Sequence, residues 1–245
     1  MAGTWARATA GCIRIAHRGA SADFPENTLR AFEEALALGV DAIELDCQLS
    51  ADGELVVIHD ETLERTTDGI GPVCAHTWAE LRRLDAGRWK DERFRGLGIP
   101  RLADVLELVA GRALVNVELK SVDDVGRIER PVTTLVEQCG ATERVIFSSF
   151  HTEAVRGVRA AAGWARLGIL CQRGPVSAAM ALAEELDAGC VVPRRKLVDS
   201  GVVQEAHRRG LGVWVWTVND PIDMQRLRAL GVDAMFSDHP ARLGA

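Results

Sequence analysis

The feature that most constrains this chain is a unit repeated along it: a short β-branched run, a polar turn, a stretch of helical period, then a glycine. Strand candidates by composition and period are Cys12–Ala16, Ala42–Leu49, Leu114–Leu119, Arg144–Ser149, Leu167–Cys171, Cys190–Val192, Gly212–Thr217 and Ala234–Phe236. Glycines that suit the left-handed position past a helix end stand at 39, 111, 140, 163, 189, 210 and 231, and from Gly111 onward they are 21 to 29 residues apart. The unit is clearest near the end. Asp220 is placed to cap a helix, Pro221 takes its first position, Met224, Leu227 and Leu230 share a face, and Gly231 lies beyond. Strand alternating with helix implies a parallel sheet, and eight such units close into a TIM (β/α)8 barrel. A doubly wound open sheet would have fewer strands and a Gly-rich phosphate loop after the first, which this sequence lacks. The 245 residues fit one such barrel of about 250 residues, so 1–245 is read as a single domain.

One interval breaks the rhythm. Gly39 and Gly111 are 72 residues apart, so an insertion follows the second strand. Glu54–His59 alternates as a strand and can pair with Leu45–Leu49 through the Asp52-Gly53 turn. The rest, about 60–98, is polar and irregular apart from Trp78, Leu81 and Leu84 at helical spacing. Loops of this length are usually lids or binding elements.

Two strands carry acids on one face. Ile43, Leu45, Cys47 and Leu49 alternate with Glu44, Asp46 and Gln48, and Val115, Val117 and Leu119 alternate with Asn116, Glu118 and Lys120. Helices cover the outside of a barrel, so the apolar rows face out and Glu44, Asp46 and Glu118 point in. Like charges about 4 Å apart repel by roughly 4 kcal/mol at an effective dielectric of 20, so something must neutralise them. A divalent cation with oxygen ligands would do so, and hard carboxylates select calcium, magnesium or manganese. The alternative is the wet face of an open antiparallel sheet, which alternates in the same way.

His17, Arg18 and Gly19 end the first strand, at the carboxyl end where barrel active sites lie, and His59 follows the paired strand. With an ordinary pKa near 6.5, two such histidines suit a general acid and base, although a lone histidine is often structural. Arg18 and Lys120 offer fixed positive charge for a phosphate or serve as counter-ions for Glu44 or Glu118. Pro25–Thr28 reads as a turn and helix start, with Asn27 placed to cap the helix that buries Leu29, Phe32 and Leu36, in preference to a direct substrate contact. Trp216 repeats the parity of Trp214 and fits either a barrel layer or a pocket rim. His76, His151, His207 and His239 lack such surroundings and read as solvated or helix-terminal, and Phe150 is a further candidate for the pocket.

The ordered set His17-Arg18-Gly19, Pro25-Glu26-Asn27-Thr28, Glu44-Leu45-Asp46, His59-Asp60 with Arg65-Thr66-Thr67, Glu118-Leu119-Lys120 and Trp216-Thr217-Val218-Asn219 resembles the glycerophosphodiester phosphodiesterase family from Ile13 to Pro240. That resemblance implies a TIM barrel with a small insertion after the second strand. It also implies one divalent metal, Ca2+ or Mg2+ with Mn2+ as a further candidate, on Glu44, Asp46 and Glu118. His17 and His59 would be acid and base, Arg18 and Lys120 would hold the phosphate, and Trp216 would line the substrate. The implied reaction releases glycerol 3-phosphate and an alcohol such as choline or ethanolamine, as in phospholipid head-group turnover. Its nucleophile would be water or the glycerol hydroxyl next to the phosphate, with intramolecular positioning favouring the hydroxyl. Cys47 and Ser50 depart from residues common in the family, outside the implied site. Rival readings are a lysophospholipase D, which needs an apolar acyl channel, and a non-catalytic binding barrel, which needs no acid–base pair.

A net charge of −6 argues against nucleic acid or an anionic membrane as the main partner and leaves a small anionic substrate open. Met1–Ile15 has no apolar run long enough for a signal peptide, and no stretch approaches about 18 apolar residues. Six cysteines without a Cys-x-x-Cys pair read as small buried hydrophobes. The expectation is a cytoplasmic enzyme with a small-molecule substrate, for which a homo-oligomer stays open.

Overall fold

The computed structural model describes residue 6, residues 11–120 and residues 122–244. Of the stretch Met1–Ile15 read for a leader, residues 1–5 and 7–10 lie outside the described residues.

The described residues form nine strands: β1 (Ile13–His17), β2 (Ala42–Leu49), β3 (Leu55–Val57), β4 (Leu114–Leu119), β5 (Val145–Ser149), β6 (Arg166–Cys171), β7 (Cys190–Pro193), β8 (Gly212–Val215) and β9 (Ala234–Ser237). Eight are parallel and pair in the order β1-β9-β8-β7-β6-β5-β4-β2, and a β1–β2 pairing closes the ring. β3 hangs antiparallel on the end of β2, with Cys47 opposite Val57 and Leu49 opposite Leu55. The α-helices of the described residues are α1 (Leu29–Ala37), α2 (Trp78–Leu81), α3 (Leu102–Val109), α4 (Glu129–Gln138), α5 (Thr152–Ala161), α6 (Val176–Glu185), α7 (Ser200–Arg208) and α8 (Pro221–Leu230). This is a TIM barrel, and an open sheet with a wet face is ruled out.

The alternation along β2 and β4 sets which side chain goes where. Ile43, Leu45, Cys47, Val115 and Val117 are buried outward against Phe32, Leu102, Val105 and Val132 of the helices. Each fully buried aliphatic side chain contributes about 1.5–3 kcal/mol. The barrel interior is closed at its amino-terminal end by a second apolar layer that includes Ile15, Ile146, Cys190, Trp214 and Ala6. The Trp214 indole Nε1 donates to the Ala6 carbonyl at 2.8 Å. A Cβ on Gly212 would stand 2.2 Å from that carbonyl oxygen, so glycine is required for the approach. The inward positions above this layer are left for polar residues.

The α8 reading holds in detail: Asp220 accepts from the Ile222 N–H at 2.7 Å, and Gly231 is left-handed at φ 81°. Other positions differ. Gly163 and Gly189 do not take the left-handed conformation, and Asp187, at φ 50°, makes that turn before β7. β8 stops at Val215 because Trp216 makes only an isolated bridge, to Arg194. Cys47, Cys171 and Cys190 are buried as expected, but Cys74 and Cys139 are exposed and Cys12 is half-buried; all six are free thiols.

The insertion is less irregular than its sequence. Leu63, Val73, Leu81 and Ala86 form a small core with Val56 and Ile58. It is pinned to the loop after β1, where Lys90 Nζ donates to the Ser21 carbonyl at 2.9 Å and the Phe94 ring lies 5.6 Å from Phe24. No helix among the described residues is long and apolar enough to cross a membrane.

Candidate active site

Strand register brings the acids together. His17 is level with Glu44 across β1 and β2, and Asp46 is level with Glu118 across β2 and β4. In parallel neighbours, level residues point to the same side, here into the barrel at its carboxyl end. Glu44, Asp46 and Glu118 are buried, and one carboxylate oxygen from each lies within 4.8 Å of the others. Burial and the neighbouring Asp46 push Glu44 up to about 8, and burial with Asp46 also raises Glu118. Burial alone would raise Asp46 too, but Arg18, His59 and Lys120 hold it well below the usual carboxylate range. Glu44 Oε1 and Asp46 Oδ1 are buried without a hydrogen-bond partner. Two orphaned oxygens in a cluster of three acids, with two of them resisting ionisation, are the donor set that a hard divalent cation fits.

The two fixed cations are set by a sharp turn and a strand end. Arg18 and Gly19 are both left-handed, at φ 55° and 83°, and a Cβ on Gly19 would lie 2.6 Å from the Ala31 backbone. This turn lets the Arg18 N–H donate to Glu44 Oε2 at 2.9 Å. The guanidinium turns back, with Nη1 donating to Glu26 at 2.8 Å and Nε 3.1 Å from Asp46. Lys120 Nζ donates to Glu118 at 2.7 Å and lies 3.6 Å from Asp46. Both cations are thus counter-ions of the acids, and both also line the cavity.

The histidines sit on opposite supports. His17 Nδ1 is 2.6 Å from Asp238 Oδ1, and its Nε2 is 3.9 Å from Glu44. Burial would lower its pKa, but Glu44 and Asp238 outweigh burial and raise it. His59 Nδ1 is 2.5 Å from Asp60 Oδ1. Burial, aided by Arg18 and Lys120, lowers its pKa despite Asp46. Gln48, inward on β2, fixes the segment that carries His59 by donating to the carbonyls of Ile58, His59 and Asp60 at 2.9 to 3.1 Å.

These groups border a cavity of about 170 Å³, lined by His17, Arg18, Glu44, His59, Glu118 and Lys120 with Phe150 and Trp216. The Trp216 indole donates to the Val192 carbonyl at 2.9 Å, and its ring meets Phe150 edge-on at 5.3 Å. Asp46 lies behind the lining. His76, His151, His207 and His239 are half-buried and absent from it. His151 stands at the α5 cap and His207 in the last turn of α7.

Several residues escaped the sequence reading. Asn27 is not the α1 cap: Thr28 is, accepting from the Ala31 N–H at 3.3 Å. Asn27 instead binds Asp46. Asp238, which orients His17, is itself held by Asn219 Nδ2 at 2.6 Å. Arg65 bridges Glu26, at 2.8 Å to each oxygen, and Asp60, at 2.5 and 3.0 Å, tying the insertion to the partners of both Arg18 and His59. The adjacent capping residues Asn27 and Thr28 gave one signal for the first of these, since only one can cap. Arg65 and Asn219 stand in the sequence motifs without a role, because each acts on a distant loop, and Asp238 leaves no local pattern.

Residues 17–242 match the Glycerophosphoryl diester phosphodiesterase family. A glycerophosphodiester phosphodiesterase from Caldanaerobacter subterraneus subsp. tengcongensis is 40% identical over 231 residues, 94% of this chain and 95% of that one. The structure of a phosphodiesterase from Oleispira antarctica, solved with the product sn-glycerol-3-phosphate, has a TM-score of 0.89 at 32% identity and covers 94% of each chain. A glycerophosphodiester phosphodiesterase structure from Agrobacterium tumefaciens has a TM-score of 0.84 at 34% identity, covering 96% of this chain and 99% of that one. By the family match and the extent of these likenesses, this chain belongs to the Glycerophosphoryl diester phosphodiesterase family, a family of phosphoric diester hydrolases.

Proposed function

We propose that this enzyme hydrolyses glycerophosphodiesters to glycerol 3-phosphate and an alcohol, in phospholipid head-group turnover, with a divalent cation held by Glu44, Asp46 and Glu118. The observation that carries the reading is a pair of histidines displaced in opposite directions, His17 up and His59 down, on either side of buried carboxylates with orphaned oxygens. Groups whose surroundings push their pKa values apart make natural acid–base partners. The product found with the Oleispira antarctica relative supports the substrate class.

When bound, the cation supplies Lewis-acid stabilisation of charge on the phosphoryl oxygens. Arg18 and Lys120 bind and orient the phosphate, the first by a planar fork and the second as a point charge. His59, with Nδ1 directed to Asp60, keeps Nε2 as a neutral base that takes the nucleophile's proton. His17, held cationic with Nδ1 on Asp238, delivers a proton to the departing alkoxide. Phe150 and Trp216 shield the reacting atoms from water. The reading treats 1–245 as one catalytic unit, since the insertion reaches both His59 and Arg18 through Arg65. It sets the enzyme in the cytoplasm, in keeping with six unpaired cysteines.

The test is release of glycerol 3-phosphate from a panel of glycerophosphodiesters by chelated protein, with Mg2+, Ca2+ or Mn2+ restored in turn. Activity that returns with one of these cations is expected. Replacing His17 or His59 by Ala should lower kcat at least about 100-fold with a near-normal thermal melt. No release with any cation overturns the substrate class, and full turnover after metal removal verified by elemental analysis overturns the metal.

A further inference from the structure

We propose that the groove between the amino-terminal ends of α5 and α6 receives the departing alcohol, and that it selects an uncharged polyol over a quaternary ammonium alcohol. The inference rests on the phosphodiesterase reading above and narrows its substrate.

The catalytic cavity, at about 170 Å³, is small beside the roughly 300–1,000 Å³ of pockets that enclose larger ligands. Part of a diester must therefore extend beyond it. On the His59 side the adjoining space is only about 10 Å³. On the β5–β6 side lies a groove of about 570 Å³ that shares Phe150, Leu170 and Gln172 with the cavity. The alcohol leaving the phosphate thus has room in this direction.

The groove is polarised positive. No carboxylate lines it, and Arg173, which does, forms no ion pair among the described residues. Thr152 begins α5 and Pro175 caps α6, so the positive ends of two ten-residue helices face the same space. The aromatic contact that a quaternary ammonium would seek is already engaged, because Lys120 Nζ stands 5.6 Å from the Phe150 ring centroid. A polyol meets a different surface. Thr152, Gln172 and Arg173 are exposed, and their side chains have no hydrogen-bond partner among the described residues. Hydroxyl groups can pair with all three, while Val155 offers an apolar side for the carbon ring or chain.

The experiment compares kcat/KM for glycerophosphoinositol, glycerophosphocholine and the methyl ester of glycerol 3-phosphate, whose leaving group is too short to enter the groove. The inositol ester should exceed the choline ester by about tenfold. Arg173→Glu should lower that ratio about three- to fivefold, the scale of one exposed charge. Thr152→Trp, which fills the groove, should lower the inositol ester relative to the methyl ester. Equal use of the choline and inositol esters by the unaltered enzyme, or a ratio unmoved by Arg173→Glu, overturns the proposal. Failure to cleave even the methyl ester overturns the phosphodiesterase reading, and this inference with it.

Discussion

Asn27 and Asp46 grip each other twice: Asn27 Nδ2 donates to Asp46 Oδ2 at 2.8 Å, and Asn27 Oδ1 accepts from the Asp46 N–H at 3.3 Å. The amide thereby orients one oxygen of a carboxylate whose other oxygen, Oδ1, is buried without a hydrogen-bond partner. Asn27 holds φ 57° to do this, a conformation that asparagine tolerates better than most residues.

Asn27→Gly isolates the amide, because glycine accepts the same backbone angle. Groups that orient a metal ligand typically contribute about 10- to 100-fold in affinity or activity, and a rise of that size in the cation concentration needed for half-maximal turnover is expected. Titrating Mg2+ against initial rate checks it. An unchanged cation dependence would show that Asp46 needs no such support.

The histidines give a pH profile whose sign follows from their surroundings. In the proposed mechanism His59 is neutral, so activity should be lost as pH falls through its pKa, which lies below the ordinary value. His17 is protonated there, so activity should be lost as pH rises through its pKa, which lies above the ordinary value. The plateau in kcat/KM should therefore span the ordinary histidine pKa of about 6.5 on both sides. Asp238→Asn removes an anion that raises His17, and the descending limb should move to lower pH while the ascending limb stays. Movement of the ascending limb instead would exchange the two roles.

The fold and the acid cluster were legible because one property, alternation with period two, fixes both. In β2 and β4 the same rows that mark the outer core leave Glu44, Asp46 and Glu118 inside. His17 was legible for a related reason, as the last residue of β1 at the barrel's carboxyl end. Asp238 was not, since it meets His17 from 221 residues away and nothing near it in sequence marks it. The insertion hid its order because its small core is completed by Val56 and Ile58, so the segment 60–98 read alone looks polar. Gly189 failed as a helix-end signal because Asp187 makes the turn in its place.

Arg65 supplies a test of how far the insertion matters. A single guanidinium reaches both Glu26 and Asp60, geometry that a lysine ammonium does not reproduce. Arg65→Lys should lower kcat about tenfold through Asp60 and His59, within the range seen for supporting residues. Stability carries a second signature. Despite some burial, Arg65 and His59 hold Asp60 down to about 2. A depressed carboxylate stabilises the fold above its unfolded pKa of about 3.9, and the gain fades as pH falls toward the folded value. The melting difference between Arg65→Gln and the parent should therefore be largest near neutral pH and shrink below about pH 4. A difference constant with pH would mean that Arg65 stabilises by packing alone.

His59 is the neutral base in this reading, and it borders the same compact cavity as Arg18 and Lys120, the cations proposed to hold the phosphate. In a space of about 170 Å³, the glycerol hydroxyl next to the phosphate is already tethered beside phosphorus, whereas a water needs its own place. Tethering of this kind can contribute about 7 to 11 kcal/mol in favourable cases. Hydroxyl attack through a cyclic phosphate is therefore expected. The hydroxyl oxygen bonds to phosphorus as its proton passes to His59, and the P–O bond to the departing alcohol breaks as His17 protonates the leaving oxygen. Water then opens the cyclic ester to glycerol 3-phosphate. An analogue lacking only that hydroxyl should show almost no turnover at saturating cation. Phosphorus NMR of the intact substrate at early times should reveal a transient cyclic signal. Comparable turnover numbers for the intact and deoxy substrates would refute hydroxyl attack and make water the nucleophile, with the roles of His17 and His59 otherwise kept.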